Sequence, residues 1–515
     1  MGLMAQTNEV PKAVLQKFLD GVEKFGNKVP HPAVIFLVLI GVVLLLSHAL
    51  SLMGTSVSYQ RINPQTHEIE QLTTAVRSLL SADGIRFLFT SAVRNFLNFG
   101  PVGVILVAMV GVGLAEEAGL IAALIRKLIV ITPRKATTFI LVFLGVLSSI
   151  ASDAGYLVLI PLGAGVFLSL GRHPLAGLAA AFSGVGAVFG VNFLITPIDG
   201  ILTEITNDAI HMLNPAQSID LTANFYFAIV SSLVLCVVCT VVTEKFVEPR
   251  LGSYHGEAPM ATAGGVSGEE SRGLRYAVYA LLAVGIVVSL LTLPPGAPLR
   301  HPTTGAIVGT SPFMDSLIVL IMLVFFAMGV AYGVGARTIR SSVDAVNAIT
   351  KTFAGLSGLI FLLLIISQFI AYFNYTNMAT VAAVKMGGFL RSANFSSLPL
   401  LLGFIAVVGV VGVIIVGAIP KWALFAPIFV PLFMKLDVAP EVVLAAYRVA
   451  DSPPNVITPL MPYFALIVGF VQKYQKEAGV GTIVAIMLPY YVAVFAVWTL
   501  LLVGWHLLNL PFGPR

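Results

Sequence analysis

Leu178-Ala-Ala-Ala-Phe-Ser-Gly-Val-Gly-Ala-Val-Phe-Gly-Val-Asn192-Phe-Leu-Ile-Thr196-Pro197 and Leu444-Ala-Ala-Tyr-Arg448-Val-Ala-Asp451-Ser452-Pro453-Pro454-Asn455-Val-Ile-Thr458-Pro459 are two versions of one device. Each begins as an alanine-rich helix, breaks at Gly or Pro, and resumes at Asn followed by Ile-Thr-Pro. Each follows an apolar segment carrying Pro and Phe, Leu159 to Phe167 in one case and Phe429 to Phe433 in the other. Interrupted apolar helices at matching places in two halves mark the central binding site of a transporter, because only there is unwound backbone tolerated at membrane depth.

The rest of the chain agrees with that setting. Of its 515 residues 58% are hydrophobic and 10% charged, against roughly 25% charged in a soluble domain. Apolar runs of about 20 residues, each able to cross a hydrocarbon core about 30 Å thick, recur throughout. The expected fold is an all-α polytopic membrane protein, not a membrane barrel, whose strands would alternate in polarity. The net charge of +5 fits a positive-inside bias and calls for no nucleic acid.

Spans are expected at 33–53, 102–114 and 120–131, the last two separated by a bend at Ala115-Glu-Glu-Ala-Gly119. The run 137–170 is too long for one straight span and divides near Ser148 to Gly155; the broken helix 175–198 follows. Further spans are expected at 225–242, 276–293 and 313–334, then a long stretch 345–373, an interrupted run 398–434 and a last span 483–507. The segment 54–85 reads as polar connection and the Gly-rich linker 244–275 as a mobile loop. The resulting organisation is an amphipathic N-terminus (1–32), scaffold helices (33–132 and 223–345), and two core segments (136–222 and 346–515). Val14, Phe18, Val22 and Phe25 at helical spacing suggest that the N-terminus lies on the membrane surface and is not a signal peptide.

Lys and Arg in short loops orient the chain. Clusters at Arg126 to Lys135, Lys245 to Arg275 and Arg337 to Arg340 are placed in the cytoplasm with the N-terminus, and loop 294–311, which has only Arg300, outside. The protein is therefore expected in the inner (cytoplasmic) membrane.

Charges inside apolar helices are costly, about 2.5–3.5 kcal/mol each at mid-bilayer on insertion scales, so they pair or line a polar cavity. The candidates are Asp153, Asp199, Lys421, Arg448 and Asp451. Arg448 and Asp451 share a helix face, and either pair with one another or serve as substrate-carboxylate holder and ion-coupling group. Ser452 and Asn455 add oxygens beside backbone freed by Pro453-Pro454, the setting that Na+ favours. Asp199 is read either as a helix cap or as part of the site, and Asp153 as a similar group within the first interruption. Lys421 beside Trp422 is either a snorkelling lysine at the interface or a hairpin tip reaching the cavity, where the indole stacks on an aromatic substrate. Cys236 and Cys239 lie in an apolar helix without further soft ligands, so packing is expected rather than a metal. Asn374-Tyr-Thr-Asn377 is polar enough to line a cavity. No GxSxG, Walker A or HExxH is present, so neither hydrolase nor nucleotide-driven pump is indicated. An intramembrane aspartyl enzyme using Asp153 and Asp451, or a non-transporting receptor, is the alternative of a different class.

Gly26-Asn-Lys-Val-Pro-His-Pro32, Gly113-Leu-Ala-Glu-Glu-Ala-Gly-Leu120, Leu170-Gly-Arg-His-Pro-Leu-Ala-Gly177, Val247-Glu-Pro-Arg-Leu-Gly252, Ala426-Pro-Ile-Phe-Val-Pro431 and Ala446-Tyr-Arg-Val-Ala-Asp-Ser452 together resemble the p-aminobenzoyl-glutamate transporter (AbgT) family, MtrF-type exporters included. The resemblance implies a homodimer with nine spanning helices and two re-entrant hairpins per protomer, within an inverted-repeat transporter superfamily. It implies a cavity lined by Asp199, Trp422, Arg448, Asp451 and Pro459, to which the repeat adds Asn192 and Asn455. It also implies transport of folate breakdown products or sulfonamides, driven by a proton or Na+ gradient, with no other cofactor. Asp451, Ser452, Asn455, Asp199, Ser149 and Asp153 are the residues assigned to ion coupling. The hairpin tips depart from the family pattern: Ser148-Ser-Ile150 replaces Ser-Asn-Thr, and Val416-Gly-Ala-Ile-Pro-Lys421 replaces a tip richer in hydroxyls. Transport of another organic anion with altered or lost sodium coupling is the alternative expectation.

Overall fold

The computed structural model describes residues 32–62, 69–130, 132–150, 155–254, 266–308, 311–392 and 396–514. The expected N-terminal amphipathic helix and Asp153 lie outside these residues, and with Asp153 so does the aspartyl pair that an intramembrane enzyme would need.

The chain is nearly all helical. Helix α1 (Pro32–Leu52) leads into the fold's one described sheet, a hairpin of β1 (Ser56–Ile62) and β2 (Ile69–Ala75) in antiparallel register from Ser56 opposite Ala75 to Ile62 opposite Ile69. The segment expected to be polar connection is thus hairpin followed by helix α2 (Ala82–Leu97), capped by the Ser81 side chain, which accepts from the Gly84 amide. Helix α3 (Gly100–Glu117) and α4 (Leu120–Val130) are separated at Gly119, whose φ of +91° ends one helix and starts the next.

The first core segment begins with α5 (Thr137–Ser148). A wide turn at Gly155–Leu159 leads into α6 (Ile160–Ser169), then α7 (Pro174–Phe182), which unwinds through a second wide turn at Ser183–Ala187. Helix α8 (Pro197–His211) resumes at the Thr-Pro of the repeat. Helices α6 and α7 touch backbone to backbone: a methyl on Gly163 would come within 2.6 Å of the Gly177 carbonyl oxygen. Small residues allow such close approach where lipid provides no hydrophobic drive between helices.

Helix α9 (Phe225–Val242) buries Cys236 and Cys239 among packed side chains. Its helical path continues through Thr243–Val247 and Glu248–Leu251, and α10 (Gly268–Thr292) starts before the expected span. The linker is therefore much shorter than composition suggested, because Glu248-Pro-Arg-Leu continues the helix and Ser267 with Glu270 forms a capping box. Helix α11 (Leu317–Ala336) packs against α10 and α3.

The long stretch 345–373 is two helices, α12 (Ser342–Gly355) and α13 (Ser357–Tyr375), and α14 (Met378–Ser392) follows. Asn374 to Asn377 do not line the cavity. Asn377, at φ +59°, donates from Nδ2 to the Ala75 carbonyl (3.1 Å), and Arg77 N–H donates to the Thr376 carbonyl (3.0 Å), so this turn anchors the β hairpin. Helices α15 (Ser397–Ile414) and α16 (Ala418–Met434) form the second hairpin. Helix α17 (Pro440–Asp451) breaks into a tight turn at Pro453–Val456, and α18 (Phe464–Gln472) and α19 (Val480–Leu507) complete the chain.

Among the described residues eight helices are long and apolar enough to cross a membrane, or nine if the sharply bent α4–α5 pair counts as one span. The family-like motifs around Arg172 and Glu248 meet at one edge. The Arg172 guanidinium donates to both Glu248 carboxylate oxygens (2.8 and 2.5 Å) and to Thr138 Oγ1 (2.9 Å), and covers the Phe167 ring. This bidentate pair fastens the first core segment to the α9 extension.

Candidate functional site

The two broken helices meet. Helix α7 ends in glycine-permitted close contact, and Asn192 then turns back to donate from Nδ2 to the Val146 carbonyl (2.8 Å) and Ser149 Oγ (2.9 Å) at the C-terminal end of α5. The second break does the same with Thr458, whose hydroxyl donates to the Val413 carbonyl (2.7 Å) at the end of α15. Helix C-termini leave carbonyls without intrahelical donors, and the polar residue of each break supplies one. The repeat read from sequence is thus a physical device: the break ties itself to its own hairpin.

Asp199 is the helix cap that sequence allowed, and it also holds Arg448. Its Oδ2 accepts from the Thr196 amide and hydroxyl, each at 2.7 Å, which caps α8. Its Oδ1 accepts from Arg448 Nη1 at 2.6 Å. Arg448 Nη1 also donates to the Gly190 carbonyl at 2.9 Å, so the second break's arginine closes the first break.

Arg448 and Asp451 do not pair with one another. Although they share a face of α17, each has a closer partner on another element. Asp451 faces Lys421 of the second hairpin, with Nζ and Oδ1 2.5 Å apart and side chains 0% and 3% exposed. Lys421 is thus neither snorkelling nor at an interface. The Tyr447 hydroxyl lies between Asp451 Oδ1 (3.1 Å) and the Ala418 carbonyl, bracing the hairpin tip against α17. Two acids and two bases form two ion pairs with no net charge, as a site withdrawn from water requires.

Trp422 is fully buried. Its indole N–H donates to Thr206 Oγ1 (2.9 Å) and to the Leu202 carbonyl (3.2 Å), and its ring lies 4.5 Å from that of Tyr447. It thereby pins the second hairpin to α8.

A cavity of about 610 Å³ opens where hairpins and breaks converge. Ser149 and Ile150 enter it from the first hairpin, Gly417 to Pro420 from the second, Phe189 and Pro197 from the first break, and Asn455 and Leu460 from the second. Met109 of α3 and Leu359 of α13 close it. Of the residues singled out from sequence, Ser149 and Asn455 line this space. Asn192 holds Ser149, Pro459 precedes the lining residue Leu460, and Ser452 donates to the Arg448 carbonyl (3.0 Å) behind the wall. Trp422, Arg448 and Asp451 also stand behind it. Among the lining residues that escaped sequence reading are Tyr156 and Tyr463, whose rings stack at 4.5 Å and 11° across the junction of the halves. Nothing in their local sequence pairs them, because their contact exists only once the two breaks are apposed.

Paired helix breaks around a central cavity in a polytopic helical protein define a membrane transporter. Residues 17–515 match the AbgT putative transporter family, and the chain belongs to it. The p-aminobenzoyl-glutamate transport protein of Escherichia coli (strain K12) is 34% identical over 498 residues, spanning 97% of this chain and 96% of that one. Among solved structures, MtrF of Neisseria gonorrhoeae, described within a class of antimetabolite efflux pumps, is 40% identical with TM-score 0.90, covering 97% and 99% of the two chains. The Alcanivorax borkumensis YdaH transporter, described as having an unusual topology, is 38% identical with TM-score 0.87, covering 94% and 100%. Relatives and family alike are transporters, not enzymes.

Proposed function

We propose that this transporter is an ion-coupled secondary carrier of aromatic carboxylates resembling p-aminobenzoyl-glutamate, or of sulfonamide antimetabolites. The observation that carries this reading is the cavity walled by both helix breaks, with amide and hydroxyl groups from Asn455 and Ser149 and a stacked tyrosine pair. A cavity of this size matches a small aromatic solute. Tyr156, Tyr463 and Phe189 offer ring faces, and Arg448 offers its guanidinium when Asp199 yields it. Trp422 acts by holding Tyr447 and the second hairpin in place. Asp451 couples the cycle to a proton or cation gradient, working in the inner membrane as a homodimer with the N-terminus in the cytoplasm.

The test is uptake of p-aminobenzoyl-glutamate and of a sulfonamide into proteoliposomes, with proton and sodium gradients imposed separately. Gradient-driven accumulation of either solute is expected, and its loss in Arg448→Ala. Transport untouched by that substitution would remove Arg448 from the site. Accumulation of neither, with another organic anion carried instead, would favour the alternative substrate class.

A further inference from the structure

Lys421 is the one buried ammonium in the described site, and its surroundings are specific. Nζ is fully enclosed; Asp451 Oδ1 at 2.5 Å is its ionic partner, and among the described residues it has no further hydrogen-bond acceptor. Gly412 and Pro454 wall it: a methyl at Gly412 would lie 3.6 Å from Nζ and 3.1 Å from Pro454 Cγ. An ammonium carries three donors, so one carboxylate leaves it under-coordinated by ordinary standards.

The hydroxyls at the second break are each aimed at a protein acceptor: Ser452 donates to the Arg448 carbonyl (3.0 Å), Thr458 to the Val413 carbonyl (2.7 Å), and the Tyr447 hydroxyl lies between the Ala418 carbonyl and Asp451. The hairpin tip that faces them, Gly417-Ala-Ile-Pro420, has no side-chain oxygen. The carboxylate that would attract the ion is already neutralised. A second cation beside the ammonium, in a place water does not reach, would meet like-charge repulsion with little screening.

We infer that Lys421 is a built-in counter-cation: its ammonium occupies the place beside Asp451 that a coupling sodium ion would take, so the second half-site works without sodium. This rests on the reading of the two breaks as the transport site, and it narrows that reading by excluding sodium there.

The test needs no substrate. The full-length protein in detergent is melted in sodium chloride and in choline chloride at equal ionic strength, as wild type, Lys421→Ala and Lys421→Ala/Asp451→Asn. Wild type is expected to melt alike in both salts. Lys421→Ala is expected to show a saturable sodium-dependent rise of about 2 °C or more, since a bound ion stabilises the folded state by mass action, and the double variant none. Sodium stabilisation of wild type that the double variant loses overturns the inference even if the alanine variant does not fold. Absence of sodium stabilisation in a folded Lys421→Ala overturns it equally. Failure of every solute in the uptake assay would count against the transport reading alone.

Discussion

Arg448 and Asp199, 249 positions apart in the chain, meet at 2.6 Å, each brought there by a different helix break. Neither is free to be replaced singly. Arg448→Ala leaves the Asp199 carboxylate, 16% exposed, with only its capping bonds. Breaking a buried pair from one side costs about 3–5 kcal/mol, and the residual exposure of Asp199 places this pair at the lower end. Combining Arg448→Met with Asp199→Leu is expected to destabilise by less than the sum of the two, measured as a double-mutant cycle on melting in detergent. Additive losses would mean that the pair does not couple the two halves.

Trp422 is expected to behave as a structural clamp. Trp422→Ala opens a large hole beneath Tyr447 and should destabilise by about 3–5 kcal/mol. Thr206→Val removes the nearer of the two indole acceptors (2.9 Å) and is expected to cost about 1 kcal/mol. If Trp422→Phe also keeps substrate affinity while lowering thermal stability, the clamp role stands. A loss of affinity at unchanged stability would return the indole to the substrate.

His173 makes the edge of the core sensitive to acid. Its Nδ1 accepts the Leu175 amide (3.2 Å) at the start of α7, which requires a neutral ring. Burial lowers its pKa from 6.5, against an opposing pull from Glu248. The folded state therefore binds this proton less readily than the unfolded one. The stabilising contribution is present above 6.5 and is lost as pH falls through the depressed folded value. The hydrogen-exchange protection factors of the 170–180 segment, corrected for the intrinsic pH dependence of amide exchange, are expected to fall between about pH 7.5 and 5.5 in wild type and to change less in His173→Asn, which keeps an N-capping group. An equal fall in both proteins would assign the effect to another group.

Gly417, at φ +97°, turns the chain into the tip of the second hairpin and lines the cavity. Alanine there meets a backbone conformation that L residues avoid, and its methyl would lie 3.2 Å from Pro420 Cγ. Gly417→Ala is expected to cost about 1–3 kcal/mol and to slow transport, read as melting temperature and initial uptake rate. An unaltered rate would show that the tip tolerates a different turn.

Much of this fold is legible in composition and in two repeated stretches. Breaks at Gly119, after Ser148 and at Gly417 are announced by Gly, Pro and polar residues inside apolar runs. Helix α2 was obscured because its apolar residues are spread among Asp83, Arg86 and Arg94 and no continuous run marks it. The hairpin was missed because its strands are largely polar. At the site, sequence named all four charges but not their partners. Spacing along α17 suggested Arg448 with Asp451, since neighbours on one helix face are all that spacing can reveal. The observed pairs, Arg448 with Asp199 and Lys421 with Asp451, depend on how the breaks approach one another, and no local pattern encodes that approach.

The bond from Arg448 to the first break also has a consequence for biogenesis. When the first half leaves the ribosome, Asp199 and the Gly190 carbonyl have no Arg448 to meet. At roughly 5–20 residues per second, the intervening 249 residues take on the order of ten to fifty seconds to synthesise. Through that interval the nascent first half has a carboxylate awaiting its arginine, and the junction of the two breaks is among the last parts of the molecule to close.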